Sequence, residues 1–528
     1  MEVLLDDSDV DAKTHRGQTP LKVLLASGRP AETVQEGVQM LLQVGANASS
    51  TGRGEQQHKT ALMVALENRV LDKTLALILT VDRNFATTDP EGNGPLYYCA
   101  RHGNAYTLVH ILEQDPEGIF ATNKAGLKPL DVAMQHAQEA LAVRLLGIGK
   151  EMGLNLEEMS TPSAERLTLL HVAASNGMAE MIKALADEDE DLDAKDLSGR
   201  TALMHACLAG HAGIVQILLG FGAGPSVKDA AGMSAVHFAC FAGKAETLDH
   251  LVHYGASCSV VDFGGSSPLH VAAIQGSATF ILKVFSAEPM QIVAMNTHGM
   301  TPLHVACVHS NYECILALTE ADNRMYINTA TRGGRTPLWI ATASGRPECV
   351  ATLIDRGADP DIPDADGKTP LSLAAELGDT EITALLCDAL ADKTRADNRG
   401  ISPLVKAVRG EHVGPVKILL DAGTSVDKAD DSGATALHYA AATGSPQCCL
   451  LLAQEGADTN RPDGRKRTPL HIASYKGQML AGLSLLHMGA DITLLDANKR
   501  TPPMAAVSGG HRSMAKILED EARRLQLT

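Results

Sequence analysis

The chain has 528 residues, which at about 150 residues per globular domain corresponds to three or four ordinary domains or to one elongated array. Aromatic residues make up only 3% of the chain while hydrophobic residues reach 45%, so we expect a core of small and aliphatic side chains between closely packed helices. The formal net charge of −18 argues against nucleic acid or an anionic membrane surface as the main partner.

The first residues and the cysteines bear on the compartment. The opening MEVLLDDSDV lacks the basic segment and apolar run of a secretory signal, and no uncharged apolar run approaches the roughly 18 residues of a membrane span. Ten cysteines without a CxxC motif fit a reducing compartment better than a disulfide scaffold. We therefore expect a cytoplasmic protein that does not insert directly into a membrane.

A tripeptide similar to Thr-Pro-Leu recurs fifteen times along the chain. The first four copies begin at residues 19, 60, 94 and 128, and polar insertions at 48–58 and 147–166 interrupt their spacing. Eleven further copies follow, with 33 residues in eight of the ten intervals; they begin at Thr168, Thr201, Ser234, Ser267, Thr301, Thr336, Thr369, Ser402, Thr435, Thr468 and Thr501. Such a period indicates a repeat array. We predict a divergent N-terminal stack over 1–146 (about four repeats), an insertion or linker over 147–166, and a regular stack over 167–528 (about eleven repeats).

Each copy carries the signals of two helices. The Thr or Ser, numbered here as position zero, is a helix N-cap, and Pro is favoured at the position that follows. Gly lies at +9 in eleven copies, where a positive φ ends the first helix. A second apolar helix follows, for example over 214–219, and another Gly closes it. Asp or Asn at −5 and Gly at −2 predict a tight turn before the next copy.

The strongest copies read SSPLHVAAIQG at 266–276, MTPLHVACVHS at 300–310 and RTPLHIASYKG at 467–477. This pattern resembles the ankyrin repeat, and the resemblance covers essentially the whole chain. It implies an all-α solenoid of stacked helix-turn-helix units with hairpin-like turns between them. It also implies a non-enzymatic scaffold or adaptor that binds one or more partner proteins on a concave surface. On its own the protein is expected to be a monomer. The alternative is an inhibitory or targeting subunit of an enzyme complex.

Six of the twenty histidines lie at +3 and are predicted to be scaffold residues; they are His171, His237, His270, His304, His438 and His471. Their repetition argues against a unique catalytic site, and the chain contains no phosphate loop, GxSxG, HExxH or kinase motif set. A zinc site built from His304, Cys307, His309 and Cys314 is the alternative. Their positions in the repeat should make these side chains diverge, so no metal, no cofactor and no enzymatic activity are expected.

The resemblance places partner contacts at the turn tips (−4, −3 and −1) and at the exposed first-helix positions +7 and +8. Apolar residues occupy +7 in four consecutive repeats and add to three apolar tips; the predicted partner-binding residues are Leu208, Met233, Phe241, Phe263, Ile274, Met300 and Val308. An exposed apolar patch of this kind marks an interaction site. The alternative is that the insertion or local curvature covers these residues and makes them core. The tips become basic toward the C-terminus, at Arg335, Lys368, Arg467 and Arg500, which favours an acidic segment or reflects scattered surface charge.

Two asparagines suggest a modification. Asn328 and Asn460 occupy −8, the position at which some ankyrin repeat proteins are hydroxylated. The resemblance therefore marks both as possible hydroxylation sites.

Overall fold

The computed structural model describes residues 9–15, 17–51, 58–187, 190–288, 293–321 and 326–524. Within these ranges the chain is helical and contains no β-strand. The chain divides into two compact units, Met1–Val260 and Val261–Thr528. Each of the fifteen predicted repeats contributes a first and a second helix, so the predicted all-α class is confirmed.

The first unit holds seven repeats. Their helices, in pairs, are α1 (Pro20–Leu25), α2 (Ala31–Gln43), α3 (Ala61–Glu67), α4 (Asp72–Val81), α5 (Pro95–His102), α6 (Ala105–Gln114), α7 (Pro129–Gln135), α8 (Glu139–Glu151), then, after a short α9 (Leu156–Met159), α10 (Leu169–Asn176), α11 (Ala179–Ala186), α12 (Ala202–Ala209), α13 (Ala212–Gly220), α14 (Ala235–Ala242) and α15 (Ala245–His253). A short 3-10 helix follows α6 at Pro116–Phe120.

The second unit holds eight repeats. Their helices are α16 (Pro268–Gln275), α17 (Ala278–Ala287), α18 (Pro302–Val308), α19 (Tyr312–Ala321), α20 (Pro337–Ala343), α21 (Pro347–Asp355), α22 (Pro370–Leu377), α23 (Thr380–Asp388), α24 (Pro403–Arg409), α25 (Val413–Asp421), α26 (Ala436–Thr443), α27 (Pro446–Gln454), α28 (Pro469–Lys476), α29 (Met479–His487), α30 (Pro502–Ser508) and α31 (Arg512–Arg524).

The first helices begin and end where the sequence predicts. The Thr201 hydroxyl accepts the backbone N–H of Met204, which satisfies one of the free donors at the start of α12. The backbone φ is positive at +9 in all fifteen repeats, including four in which the residue is not Gly: Arg69, Ala137, Ser310 and Glu411. The left-handed turn is therefore imposed by the repeat itself, and Gly is only the residue that adopts it with least strain.

The core lies between helices of consecutive repeats. Within each unit first helices pack on first helices, as α10 packs on α12 and α26 on α28, and second helices pack on second helices. Position +5 is Ala in thirteen of the fifteen repeats, and every one of these side chains is fully buried. A methyl group at this position allows the close approach of first helices, which accounts for the low aromatic content.

The cysteines belong to this core. All ten are buried and free, and Cys207, Cys240 and Cys307 occupy the +6 position next to the Ala at +5. Burial raises the pKa of the Cys207 thiol well above its usual value. These cysteines therefore act as small buried hydrophobic residues.

The second insertion, 147–166, packs on the first unit. Helix α8 runs through Glu151, and the insertion also forms the short helix α9. Met159 is buried against Gly149, and the Asp131 carboxylate accepts hydrogen bonds from Ser160 and Thr161. The domain boundary assigned to this segment remains a prediction. Of the first insertion, residues 52–57 lie outside the described residues.

Candidate protein-binding surfaces

The +3 histidines join consecutive repeats. In the first unit, His171 Nδ1 accepts the backbone N–H of Thr168 at 3.2 Å, and its Nε2 donates to the carbonyl of Arg200 in the next repeat at 2.9 Å. In the second unit the same Nε2 bond to the next repeat recurs, at 2.9–3.0 Å, in His270, His304, His438 and His471. These histidines are scaffold residues, as predicted.

The four residues of the zinc alternative have other roles in the second unit. Both ring nitrogens of His304 are used, because Nδ1 accepts from the Thr301 N–H and Nε2 donates to the Arg335 carbonyl. Cys307 is fully buried, His309 is exposed at the end of α18, and Cys314 Sγ donates to the carbonyl of Ala272 at 3.8 Å. No group of three metal-ligating side chains forms within the described ranges.

A second polar pairing links position −5 to position +4 of the same repeat. The turn Asp at −5 uses one oxygen for backbone N–H groups, and its other oxygen binds a polar side chain at +4 where one is present. The pairs are Tyr98 with Asp89, His205 with Asp196, Lys406 with Asp397, and Tyr439 with Asp430. These pairs were not predicted from the sequence, although a polar residue at +4 was their signal.

The His205–Asp196 pair lies beside a cleft of about 600 Å³ in the first unit. The cleft lies between the insertion and helices α7, α10 and α12. His205 Nε2 lies 2.9 Å from Asp196 Oδ2, and its Nδ1 lies 3.2 Å from Ser175 Oγ. These residue types resemble a hydrolytic triad. However, the Ser175 hydroxyl also donates to the His171 carbonyl at 3.0 Å, and the His–Asp pair repeats the −5/+4 pairing found elsewhere. The contacts of Ser175, His205 and Asp196 are therefore explained by the repeat scaffold.

The predicted apolar residues of the first unit lie at the surface. Leu208 and Phe241, at +7 on α12 and α14, are 37% and 53% exposed. Met233, at the tip before α14, is half-buried, and its backbone N–H donates to Asp229. The structure therefore leaves both +7 side chains in contact with solvent rather than in the core.

The second unit repeats this arrangement. Ile274 and Val308, at +7 on α16 and α18, are 40% and 46% exposed, and Phe263 at a tip is 75% exposed. Met300 is half-buried, while its carbonyl accepts the hydrogen bond from His270. Tyr475, at +7 on α28, is an exposed aromatic residue that the sequence analysis did not select. Its place at +7 was the sequence signal that could have identified Tyr475 as an exposed side chain.

The two −8 asparagines connect turns of consecutive repeats. The Asn328 side-chain oxygen accepts the backbone N–H of Asp359 at 2.9 Å, and that of Asn460 accepts the N–H of Asp491 at 2.7 Å. Asp361 makes the equivalent bond to Asp392. Position −8 is therefore a hydrogen-bond acceptor between repeats, and hydroxylation of Asn328 or Asn460 stays a prediction.

Comparison with known proteins identifies the fold family. The model of the family described as ankyrin repeats (3 copies) matches overlapping segments that together run from residue 132 to residue 496; they are 132–229, 170–262, 212–288, 236–330, 269–364, 323–397, 357–430, 383–463 and 414–496. The chain belongs to the ankyrin repeat family. The repeat units described above are therefore ankyrin repeats, and this fold is generally a non-enzymatic protein interaction module.

Individual relatives share only part of the chain. The B-cell lymphoma 3 protein homolog of Mus musculus is 31% identical over 117 residues, which are 22% of this chain and 25% of that protein. The transient receptor potential cation channel subfamily A member 1 homolog of Caenorhabditis elegans is 24% identical over 205 residues, 38% of this chain and 15% of that protein. The chain thus spans a quarter or less of these two relatives.

A solved structure of the ankyrin repeat domain of Bcl-3, described as a unique member of the IkappaB protein family, is 29% identical to the aligned part of this chain. The alignment covers 41% of this chain and 99% of the Bcl-3 chain, with a TM-score of 0.39. In the part of the chain that the structure describes, no helix is long and apolar enough to cross a membrane.

Proposed function

We propose that this ankyrin repeat protein is a non-enzymatic scaffold that binds partner proteins through its exposed +7 side chains. The observation that carries the proposal is the exposure of Leu208 and Phe241 in the first unit and of Ile274 and Val308 in the second. Apolar residues exposed at equivalent positions of successive repeats gain free energy when a partner covers them. Phe241 and Phe263 are the aromatic side chains most suited to anchor a partner.

The polar networks support a binding role rather than catalysis. The +3 histidines bridge repeats, and the Ser175–His205–Asp196 arrangement follows the same −5/+4 pairing as Lys406 with Asp397. A group that recurs in several repeats holds the scaffold and supplies no unique reactive centre. A fluorophosphonate probe should leave Ser175 unlabelled, and stoichiometric labelling there would contradict the non-enzymatic proposal.

The test compares partner capture by variants with matched controls. Phe241→Asp on α14 is paired with Val252→Asp on α15 of the same repeat, and Ile274→Asp on α16 with Leu282→Asp on α17. All four residues are exposed, so each change places a charge at the surface. Circular dichroism first establishes that every variant retains its helices, and quantitative affinity purification then measures which proteins remain bound.

We expect partners to be lost from the +7 variants and kept by the second-helix controls. Equal capture by all four variants would place the binding surface elsewhere. If Phe241→Asp or Ile274→Asp alone unfolds, its side chain contributes to the core. Purification of one dominant enzyme with altered activity would favour the alternative, an inhibitory or targeting subunit.

We infer a separate N-terminal stack over 1–146 joined by 147–166 to the stack over 167–528, and a monomer in the absence of partners. The ten buried free thiols support a reducing compartment, for which we propose the cytoplasm. Hydroxylation at Asn328 and Asn460 would add the mass of one oxygen each to the protein from native cells, and intact-mass measurement tests this directly.

A further inference from the structure

A basic groove lies at the last two repeats of the second unit. It has a volume of about 260 Å³ and lies between the turns and first helices of these repeats, where α28 packs on α30. Its lining includes the basic side chains of Arg465, Arg467, Lys476 and Arg500, with the exposed Tyr475 among them. We name these five residues the basic groove.

Two of the arginines are fixed in place by buried carboxylates. Arg467 Nε and its terminal nitrogen lie 2.8 and 2.7 Å from Asp463 Oδ2, and Arg500 makes the equivalent bonds to Asp496 Oδ2 at 3.0 and 2.8 Å. Burial alone would raise the pKa of Asp463, but the hydrogen bonds from Arg467 hold it below its usual value. A guanidinium has five N–H donors, so each arginine keeps others for a ligand after pairing with its aspartate.

The groove has an unbalanced positive charge. The lining contains four basic side chains and one carboxylate, Asp496, whose oxygens accept from Arg500 and from backbone N–H groups. Arg465 and Lys476 are exposed and have no ion pair within the described ranges. This concentration of positive charge occurs in a chain whose formal net charge is −18. An acidic ligand is thus steered toward the groove and away from the rest of the surface.

Two further lysines stand in the same turns at an unfavourable backbone conformation. Lys466 and Lys499 occupy position −2, where eleven repeats have Gly, and both have a φ of 57°. A residue with a Cβ costs about 1 kcal/mol in this region relative to Gly. The two repeats that form the groove therefore place ammonium groups where the fold favours glycine.

We propose that the basic groove binds an acidic, extended peptide segment of a partner protein, with its carboxylates on the guanidinium groups of Arg467 and Arg500. The proposal rests on the proposed function only in assuming a protein partner. The basic groove contains none of Leu208, Phe241, Ile274 and Val308, and it is tested with different variants.

The spacing of the two arginines defines the sequence that fits. Arg467 and Arg500 are equivalent residues of adjacent repeats, and packed helices of this kind lie roughly 8–10 Å apart. A peptide extended in the polyproline II conformation advances about 3.1 Å per residue with three residues per turn, so carboxylates three residues apart lie on one face and reach both arginines. The ring of Tyr475 offers an apolar contact to the side chains between them.

The experiment uses the full-length protein and fluorescein-labelled synthetic peptides of twelve residues. One peptide carries Glu at every third position, the second carries Gln at the same positions, and the third carries phosphoserine there. Fluorescence anisotropy measures each affinity at two salt concentrations, since an ionic complex weakens as salt rises. An unlabelled single-stranded oligonucleotide serves as a competitor.

The main variant is Arg465→Glu with Lys476→Glu, which changes two exposed side chains that take no part in the Asp463 and Asp496 pairs. The matched control is Lys417→Glu with Lys516→Glu, which makes the same change in charge at exposed positions of α25 and α31 outside the groove. We expect the Glu peptide to bind at least tenfold more weakly to the main variant and within twofold of wild type to the control.

A second variant separates binding from stability. Lys466→Gly with Lys499→Gly should bind the Glu peptide several-fold more weakly while its thermal unfolding midpoint stays the same or rises. Equal affinity for the Glu and Gln peptides, or equal losses in the main and control variants, would overturn the proposal. Binding of only the phosphoserine peptide, or stronger binding of the oligonucleotide, would assign the groove to a different ligand. None of these outcomes depends on Phe241 or Ile274, so failure here leaves the proposed function standing.

Discussion

Acidification should destabilise the repeat that contains His304. This side chain is fully buried in the second unit, where its Nδ1 accepts from the Thr301 N–H at 3.1 Å and its Nε2 donates to the Arg335 carbonyl at 3.0 Å. Burial lowers the pKa of His304 to about 4, despite the opposing hydrogen bond to the Arg335 carbonyl. Protonation would also force Nδ1 to give up its acceptor role.

The sign and size of the effect follow from linkage. An unfolded histidine has a pKa near 6.5. Between this pH and the lower pKa of the folded state, the unfolded chain binds a proton at His304 that the folded chain does not bind. The stabilising contribution is therefore present above pH 6.5 and is lost as the pH falls toward 4. At about 1.4 kcal/mol per pKa unit, the loss at pH 5 is about 2 kcal/mol.

The assay is hydrogen exchange with mass spectrometry on the full-length chain at pH 7.5 and pH 5.0, read from peptides that cover α18. A local readout is needed because repeats open separately and a single unfolding transition is not assured. His304→Asn removes the titrating ring, while His309→Asn removes an exposed ring from the end of the same helix. We expect His304→Asn to be less stable at pH 7.5 but to lose about 2 kcal/mol less than wild type on acidification.

The result that refutes this reasoning is an equal loss of protection in wild type and His304→Asn between the two pH values. A matching change in His309→Asn would show that any ring in α18 produces the effect. Either outcome would mean that the buried hydrogen-bonded ring is not the source of the pH dependence.

Three other substitutions test the repeat geometry, each by hydrogen exchange in the helices of its own repeat. Glu411→Gly should raise the free energy of unfolding by about 1 kcal/mol, because Glu411 has a φ of 59° at a position that favours Gly; no gain would contradict the strain. Lys406→Met should lower the free energy of unfolding by about 3 kcal/mol, because it removes the cation that pairs with the Asp397 carboxylate. Adding Asp397→Asn should recover most of this loss. An equal loss in the single and double variants would refute the pairing. Asn460→Ala should lower the free energy of unfolding by about 1 kcal/mol, because the backbone N–H of Asp491 loses its acceptor. An unchanged stability would show that this hydrogen bond contributes nothing.

The helices could be predicted because their signals are local. Thr201 caps α12 through a hydrogen bond within four residues, and Gly210 ends it with a positive φ. Residue type alone would have missed the same turn at Ala137 and Ser310, where the φ is also positive. The constant interval between repeats locates these turns, since the stacking of neighbouring repeats fixes the chain path whatever the side chain.

The polar pairings could not be predicted in the same way. His205 and Asp196 are nine residues apart, and Asn328 binds the backbone of Asp359 in the next repeat. Each contact depends on how a turn lies over a helix or over the following turn, which a single repeat does not specify. The exposure of Phe241 was the exception, because its place at +7 implied a solvent-facing side chain before any contact was known.

The variable positions explain how one fold can present two unlike surfaces. Position +7 is Phe241 in one repeat and Tyr475 in another, and only the second stands beside the cluster of basic side chains. Meanwhile the Ala at +5, present in thirteen of the fifteen repeats, and the six +3 histidines maintain the same stacking. Because each repeat contacts only its neighbours, a charged residue such as Lys466 adds local strain without affecting distant repeats. A binding surface can therefore change at a single turn, as it does at Lys466 and Lys499, without altering the stacking of distant repeats.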